Sequence, residues 1–302
     1  MTSDRPTSPA TSRKAAAALI AAVLAMTAWH AFNTWRGADQ AAEAMVQALT
    51  RTMEYQTDTT LRSVDNLLLE AVQRIDPAQW PQPTQTQWLQ ARLADFPEAR
   101  NLLVVAPDGK SVGPGLSAAG MIGPPLDVSD RQHFRFHHDH PDNHRLIIGD
   151  PIIDRLDGRQ IIPLSHAIVD SSGTFKGMIA IGIDPSFMVK ALESLVIEEA
   201  GGISIIRDDG VFLARIPDPY GSFGRSVAGS PLFQQFLPRS PSGVARFVSV
   251  ADGNAKIVGY RTLARYPVVV TVGMTEKTAF APFWSEMSWI SLAVVVISGA
   301  LY

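Results

Sequence analysis

Asn101 to Val112 reads NLLVVAPDGKSV, and Ile203 to Ala214 reads ISIIRDDGVFLA. Each is an apolar run of strand length followed by Asp-Gly, a dipeptide that readily supplies the positive φ of a tight hairpin turn. The likeness continues downstream, where Gly177 to Asp184 reads GMIAIGID and Val268 to Thr275 reads VVVTVGMT. Further strands are expected at Leu146 to Asp154 and Gln160 to Val169 in the first unit. Val244 to Val250 and Ala255 to Leu263 are their counterparts in the second. Asp157-Gly158 and Ser172-Gly173 supply turns, and short helices fall near Gln87 to Leu93, Asp130 to His138, Asp184 through Leu195, and Pro231 to Leu237. Antiparallel strands with helices laid on one face make an α+β sandwich, here present twice.

Outward from these units, Ala41 to Ile75 predicts one long helix. Val46, Leu49, Met53, Leu61, Val64, Leu68, Val72 and Ile75 recur at steps of three and four, with a gap at Thr57. No Pro interrupts this stretch until Pro77, so the rod is roughly 50 Å long. Such a stripe packs on its own domain and can also pair with a second copy, so a homodimer through this helix is expected.

Ala15 to Phe32 reads AAAALIAAVLAMTAWHAF, without a formal charge. Its length suits a bilayer crossing of roughly 17–25 residues. Arg5, Arg13 and Lys14 precede it, which favours a cytoplasmic N-terminus, and Trp29 and Trp35 stand where an aromatic belt belongs. A cleaved signal peptide is the rival, but no small-x-small site is evident and the helical pattern runs on past Trp35. Met287 to Tyr302, MSWISLAVVVISGALY, is again apolar. A C-terminal core helix is the plainer alternative, yet the run reads as a second span cut short within a longer protein. The organisation expected is a cytoplasmic N-terminus over 1–14, a transmembrane helix over 15–35 and a long signalling helix over 36–79. A membrane-distal unit over 80–185, a membrane-proximal unit over 186–278 and a second, truncated transmembrane helix over 280–302 follow. Residues from about 36 to 279 then face the periplasm of a bacterial inner membrane.

Hydrophobic residues make up 46% of the 302 and charged residues 18%, which excludes a disordered or highly charged chain. A net charge of −3 argues against nucleic acid as a partner. There is no cysteine, so disulfides, thiolate catalysis and Cys-based metal sites are excluded together. No Gly-rich phosphate loop, Gly-x-Ser-x-Gly elbow or HExxH pair occurs, and the adjacent Glu198 and Glu199 point apart on a helix. The chain is not expected to be an enzyme; any catalysis belongs to an output domain beyond it.

The order of anchor, long helix, two PAS-like sheets and second span resembles the double Cache (PDC-type) sensor domains of bacterial receptors. It is most similar to those ahead of diguanylate cyclases and histidine kinases. The stretches that carry the resemblance are Asp130-Arg131-Gln132-His133-Phe134-Arg135, with His133 where the family usually has Tyr, Ile148-Gly149-Asp150-Pro151, and Ile161-Ile162-Pro163-Leu164-Ser165. Ile206-Arg207-Asp208-Asp209-Gly210 followed by Leu213-Ala214-Arg215 fits as well. The resemblance covers about residues 36 to 279. It implies a periplasmic ligand-binding module that holds a small molecule in the distal unit and passes a conformational signal across the membrane, to a diguanylate cyclase in the first reading. A histidine kinase or chemotaxis transducer is the alternative output.

Arg131 and Arg135 sit one turn apart and can face one side; a guanidinium fork suits a carboxylate or phosphate, so both are candidate ligand contacts. Either can instead pair with Asp130 or Asp150. The resemblance adds His133, Asp150 and Ser165 to the ligand-binding set, and Asp184 as an acceptor for a ligand ammonium, although capping a helix explains Asp184 equally well. Five of the seven histidines fall in HFRFHHDHPDNH. His133 and His137, four apart, have the spacing by which two helical imidazoles share a divalent metal; a membrane-anchored metal-binding protein is thus a reading of another class. No other cofactor is expected.

Overall fold

The structure, a computed structural model, describes residues 9–190, 201–219, 221–250 and 252–300, the side chains of 9–17, 19, 190 and 294–300 excepted. Helix α1 runs unbroken over Pro9–Arg74, about 100 Å at 1.5 Å per residue. Past Pro9 it contains no proline, and Gly37 is its one glycine. Val46, Met53, Leu61, Val64 and Leu68 of the expected stripe are buried, and Thr57 fills the gap between them. The stripe is thus the spine of the fold.

Two antiparallel sheets pack on that spine. The first holds β1 (Ala99–Val105), β2 (Gly115–Ser117), β3 (Gly120–Ile122), β4 (Ile147–Ile148), β5 (Ile152–Ile153), β6 (Gln160–Val169) and β7 (Phe175–Ile183). Its order is β3-β2-β1-β7-β6-β4, with β5 also on β6. The second holds β8 (Gly201–Arg207), β9 (Phe212–Ile216), β10 (Ser242–Val248), β11 (Ala255–Thr262) and β12 (Val268–Thr275), ordered β10-β11-β12-β8-β9. In both, the first strand lies beside the last and the second lies outside the first, so the repeat seen in sequence is a repeat of topology. Helices α2 (Pro83–Ala94), α3 (Gln132–Asp139), α4 (Pro185–Lys190), α5 (Glu276–Ala279) and α6 (Ala281–Ala300) complete the fold, with a π-helical turn at Leu232–Phe236.

One expectation is corrected in detail, and another reaches past the described residues. The strand foreseen over Leu146 to Asp154 is split into β4 and β5, because Gly149 turns its N–H to the Pro163 carbonyl at 2.8 Å and Pro151 has no N–H to give. The helix foreseen through Leu195 is described as far as Lys190; its remainder, and Glu198 and Glu199, lie outside the described residues.

Strand alternation gives the first sheet two working faces. Leu102, Val104, Ile162, Leu164, Ile179 and Ile181 join α1 in one core that continues through Ile203, Ile205, Val268 and Val270 of the second sheet. Val105, Met178 and Ala180 face the other way, under Val128 and Phe134. Close approach of helix to sheet needs glycine at Gly259, where a Cβ would stand 2.5 Å from Thr50 Oγ1 and 2.7 Å from the Val46 carbonyl oxygen.

Asp65 on α1 ties the spine to both units. Its carboxylate meets His166 Nε2 of β6 at 2.7 Å and accepts from the Tyr266 hydroxyl, between β11 and β12, at 3.0 Å. Both partners are buried. Asp65→Ala strands two buried polar groups at about 1–3 kcal/mol each, so a loss of about 2–6 kcal/mol in urea unfolding is expected; a loss under about 0.5 kcal/mol, the range of ordinary surface changes, would contradict the bridge.

Among the described residues, no helix is long and apolar enough to cross a membrane. The two apolar runs extend over residues whose side chains lie outside that description, 15–17 and 19 at one end and 294–302 at the other.

Candidate functional site: the pocket face of the distal sheet

The face of the first sheet turned away from α1 is roofed by α3 and the loops on either side of it. Between floor and roof lies a cavity of about 40 Å³. Asn101 and Leu103 of β1, Ile161 and Pro163 of β6, and Ala180 of β7 form the floor. Val128, Arg131 and His133 come from the roof, with Ile152, Asp154 and Arg155 closing the side.

Positive and negative groups converge here. Arg131 is the residue before the first turn of α3, with extended backbone, and its side chain is largely buried; its nearest carboxylate, Asp130, stands 3.9 Å away. Arg155 is held by a two-pronged contact to Asp130, at 3.2 and 2.7 Å, and by the Asp127 carbonyl. The Arg155 bond holds the Asp130 carboxyl below its ordinary range. Asp154 is buried, receives the Asn101 side-chain N–H and accepts from Leu156 N at 2.9 Å. Burial pushes its pKa up despite those donors.

His133 is buried against the Gly149 backbone. A Cβ at Gly149 would lie 2.9 Å from His133 Nδ1 and 2.8 Å from Pro163 Cγ, which explains the Gly before Asp150-Pro151. One turn on, His137 Nε2 meets Ser165 Oγ at 3.0 Å and its buried Nδ1 has no partner among the described residues. The three stretches noted in sequence are thus the seam by which α3 docks on β6.

The candidate residues divide. Arg131 and His133 line the cavity. Arg135 does not: helix geometry points it outward, where it is exposed and its Nε donates to the Ser129 carbonyl at 3.2 Å. The expectation that both arginines share one side fails because Arg131 precedes the helix. Asp150 reaches out of the distal unit to Arg207 Nη2 of β8 at 2.7 Å, and Arg207 Nη1 also donates to the Ile148 carbonyl at 3.1 Å. Ser165 is spent on His137. Asp184 caps the turn into α4, accepting from Ser186 N at 2.9 Å and Ser186 Oγ at 2.7 Å. Asn101, Asp154 and Arg155 were not foreseen, although a lone Asn opening the apolar run NLLVV was a signal available in sequence.

Among the described residues, no group of three or more His, Asp or Glu is placed to hold a metal ion. His133 and His137 are both buried, and burial favours the neutral imidazole. Burial, then the Arg131 charge, pushes His133 down to about 4; burial, then His166, does the same to His137. Unfolded imidazoles titrate near ~6.5. Between these values the unfolded chain binds more protons, so this stability is present near pH 7 and is lost as pH falls toward 4. At pH 5 the loss is about 2 kcal/mol per imidazole. The urea midpoint should fall between pH 7 and 5, and the His133→Gln/His137→Gln pair should flatten that dependence; an unchanged slope in the pair would assign it elsewhere.

A larger cleft of about 610 Å³ runs between Thr34 to Leu49 of α1, β8, β12 and α6. Its lining is almost wholly apolar, with Glu286 at one end. Size favours it, but its lining lacks the convergent polar groups that a recognition site needs.

A family model described as a dCache_1-like histidine kinase sensor domain matches residues 186–273. The crystallised extracellular domain assigned to a histidine kinase, rpHK1S-Z16, is 30% identical, with 78% of this chain and 95% of that one covered and a TM-score of 0.68. The fold is shared with the ligand-binding domain of the Pseudomonas aeruginosa PAO1 amino-acid chemoreceptor PctB in complex with L-Arg (16% identity, 79% and 97% covered, TM-score 0.58). It is shared also with the ligand-binding domain of the Pseudomonas fluorescens chemoreceptor CtaA in complex with L-isoleucine (15% identity, 83% and 99% covered, TM-score 0.56). No curated protein sequence matches. The chain belongs to the double Cache family of extracellular sensor domains.

Proposed function

We propose that this chain senses a small carboxylate- or amino-acid-like molecule in the distal cavity. Arg131 would grip the carboxylate and Asp154, steadied by Asn101, would receive an ammonium. The observation that carries this reading is the meeting, across one cavity, of a buried carboxylate and a guanidinium whose one ion pair among the described residues is a 3.9 Å contact. About 40 Å³ is the room of a water or two. A ligand of amino-acid size therefore has to lift the α3 roof, and a ligand shifts a conformational balance only by preferring one state. The roof connects through Asp150 and Arg207 to the proximal sheet, and the floor strand β6 connects through His166 and Asp65 to α1, which is the route proposed for the signal.

Under this reading the runs 15–35 and 280–302 are membrane helices, the units 80–185 and 186–278 lie in the periplasm, and α1 pairs with a second copy through exposed residues such as Met45, Tyr55 and Leu69. A histidine kinase output is favoured over a diguanylate cyclase, because the matching family model and the 30% identical relative both carry histidine kinase descriptions. The test is a thermal-shift panel of amino acids, short carboxylates and amines on the purified chain. A binder at a hundred times Kd adds about 2.7 kcal/mol of stability, and its effect should fall to about 1.4 kcal/mol or less in Arg131→Ala. A silent panel, or a hit indifferent to Arg131, would sink the proposal.

A further inference from the structure

The second sheet repeats the two-faced arrangement of the first, and its outer face holds a cavity of its own, about 60 Å³ in volume. Gly202 and Gly273, paired across β8 and β12, leave the floor bare. Ser204, Thr271 and Ser230 offer hydroxyls, while Phe247, Val258 and Leu232 make an apolar wall. Two cations enter it. Arg215 of β9 and Lys256 of β11 have side chains only 8% and 6% exposed, and both contact the same carboxylate, Asp252, itself 10% exposed. Arg215 Nη2 lies 3.0 Å from Asp252, and its Nε donates to the Pro217 carbonyl at 3.3 Å.

Among the described residues, two buried positive charges thus share one negative charge. Among the described residues no second carboxylate pairs with either; Asp218, the nearest candidate along the chain, takes the Ser222 N–H on both oxygens at 2.8 Å. An excess charge out of water is costly unless an ion of opposite sign joins it. The volume suits about two waters or one anion of acetate size, and a bare floor between hydroxyls and an apolar wall suits a carboxylate with a short tail.

We propose that the proximal unit carries a second ligand site, which takes a short-chain monocarboxylate of the acetate class between Arg215 and Lys256. The site is independent of the distal one in residues, cavity and test. A receptor built this way reads two carboxylates on one α1 spine.

Acetate is the probe, titrated into the purified chain against equal concentrations of chloride. Amide hydrogen exchange is expected to slow over 202–204 and 227–232, and the melting temperature to rise by several degrees near saturation. Lys256→Met removes the unmatched charge and keeps the stem, so it should melt no lower than the parent chain and weaken acetate at least tenfold. No acetate effect beyond that of chloride would overturn the site. So would slowed exchange confined to 126–133 and 152–155, or an acetate response retained in Lys256→Met. The wild-type exchange map decides even if that variant folds poorly, and failure of the distal reading leaves this map unchanged.

Discussion

Gly177→Ala should leave the distal unit largely unfolded in urea concentrations that the parent chain withstands. Gly177 opens the interior of β7 with φ +134°, a conformation that L side chains rarely adopt. A Cβ there would stand 2.0 Å from the Val105 carbonyl oxygen and 3.1 Å from its carbon, and both belong to the β1 backbone. The obstacle is not a side chain that can swing aside. Relief requires prising β1 from β7, the central pair of the sheet. The expected loss is about 4 kcal/mol, at the upper end of single substitutions. Gly173→Ala provides the contrast: its φ is +80°, with nothing within 4 Å of the added carbon, so only backbone strain of about 1–2 kcal/mol is expected. Equal losses in the two variants would refute the collision.

Arg131→Ala should weaken the distal ligand by roughly 10- to 100-fold, since a hydrogen bond to a charged group is worth about 1.5–3 kcal/mol and each 1.4 kcal/mol is tenfold. Folding should be nearly unaffected, because Arg131's closest ion pair is a 3.9 Å contact to an exposed carboxylate. Arg135→Ala should change affinity less than twofold, as its side chain lies outside the cavity. Calorimetric titration of all three proteins checks both. The reverse ranking would restore the simple reading of a shared helical face.

The architecture was legible because its signals are periodic. The apolar runs and Asp-Gly turns set strand positions to within a few residues, and the stripe from Val46 to Leu68 gave the spine. The site was less legible because contacts across a roof have no period. Arg131 and Arg135 are four apart, yet a helix that starts one residue later sends them in different directions. Asp150 resembled a pocket residue in sequence, but its partner, Arg207, is fifty-seven positions away in the other unit. Ser165 and His137 illustrate the same limit, since a motif can be a docking seam. Asp154 and Asn101 were missed because their pairing depends on β5 folding back along β6.

The most direct measurement is hydrogen exchange of the chain with and without the compound that stabilises it most in the thermal panel. The proposed function expects slowed exchange at 126–133 and 152–155, where roof and side wall close on the ligand, with a smaller effect at α1 near Asp65. Protection absent from those segments, whatever happens elsewhere, would contradict a distal ligand site.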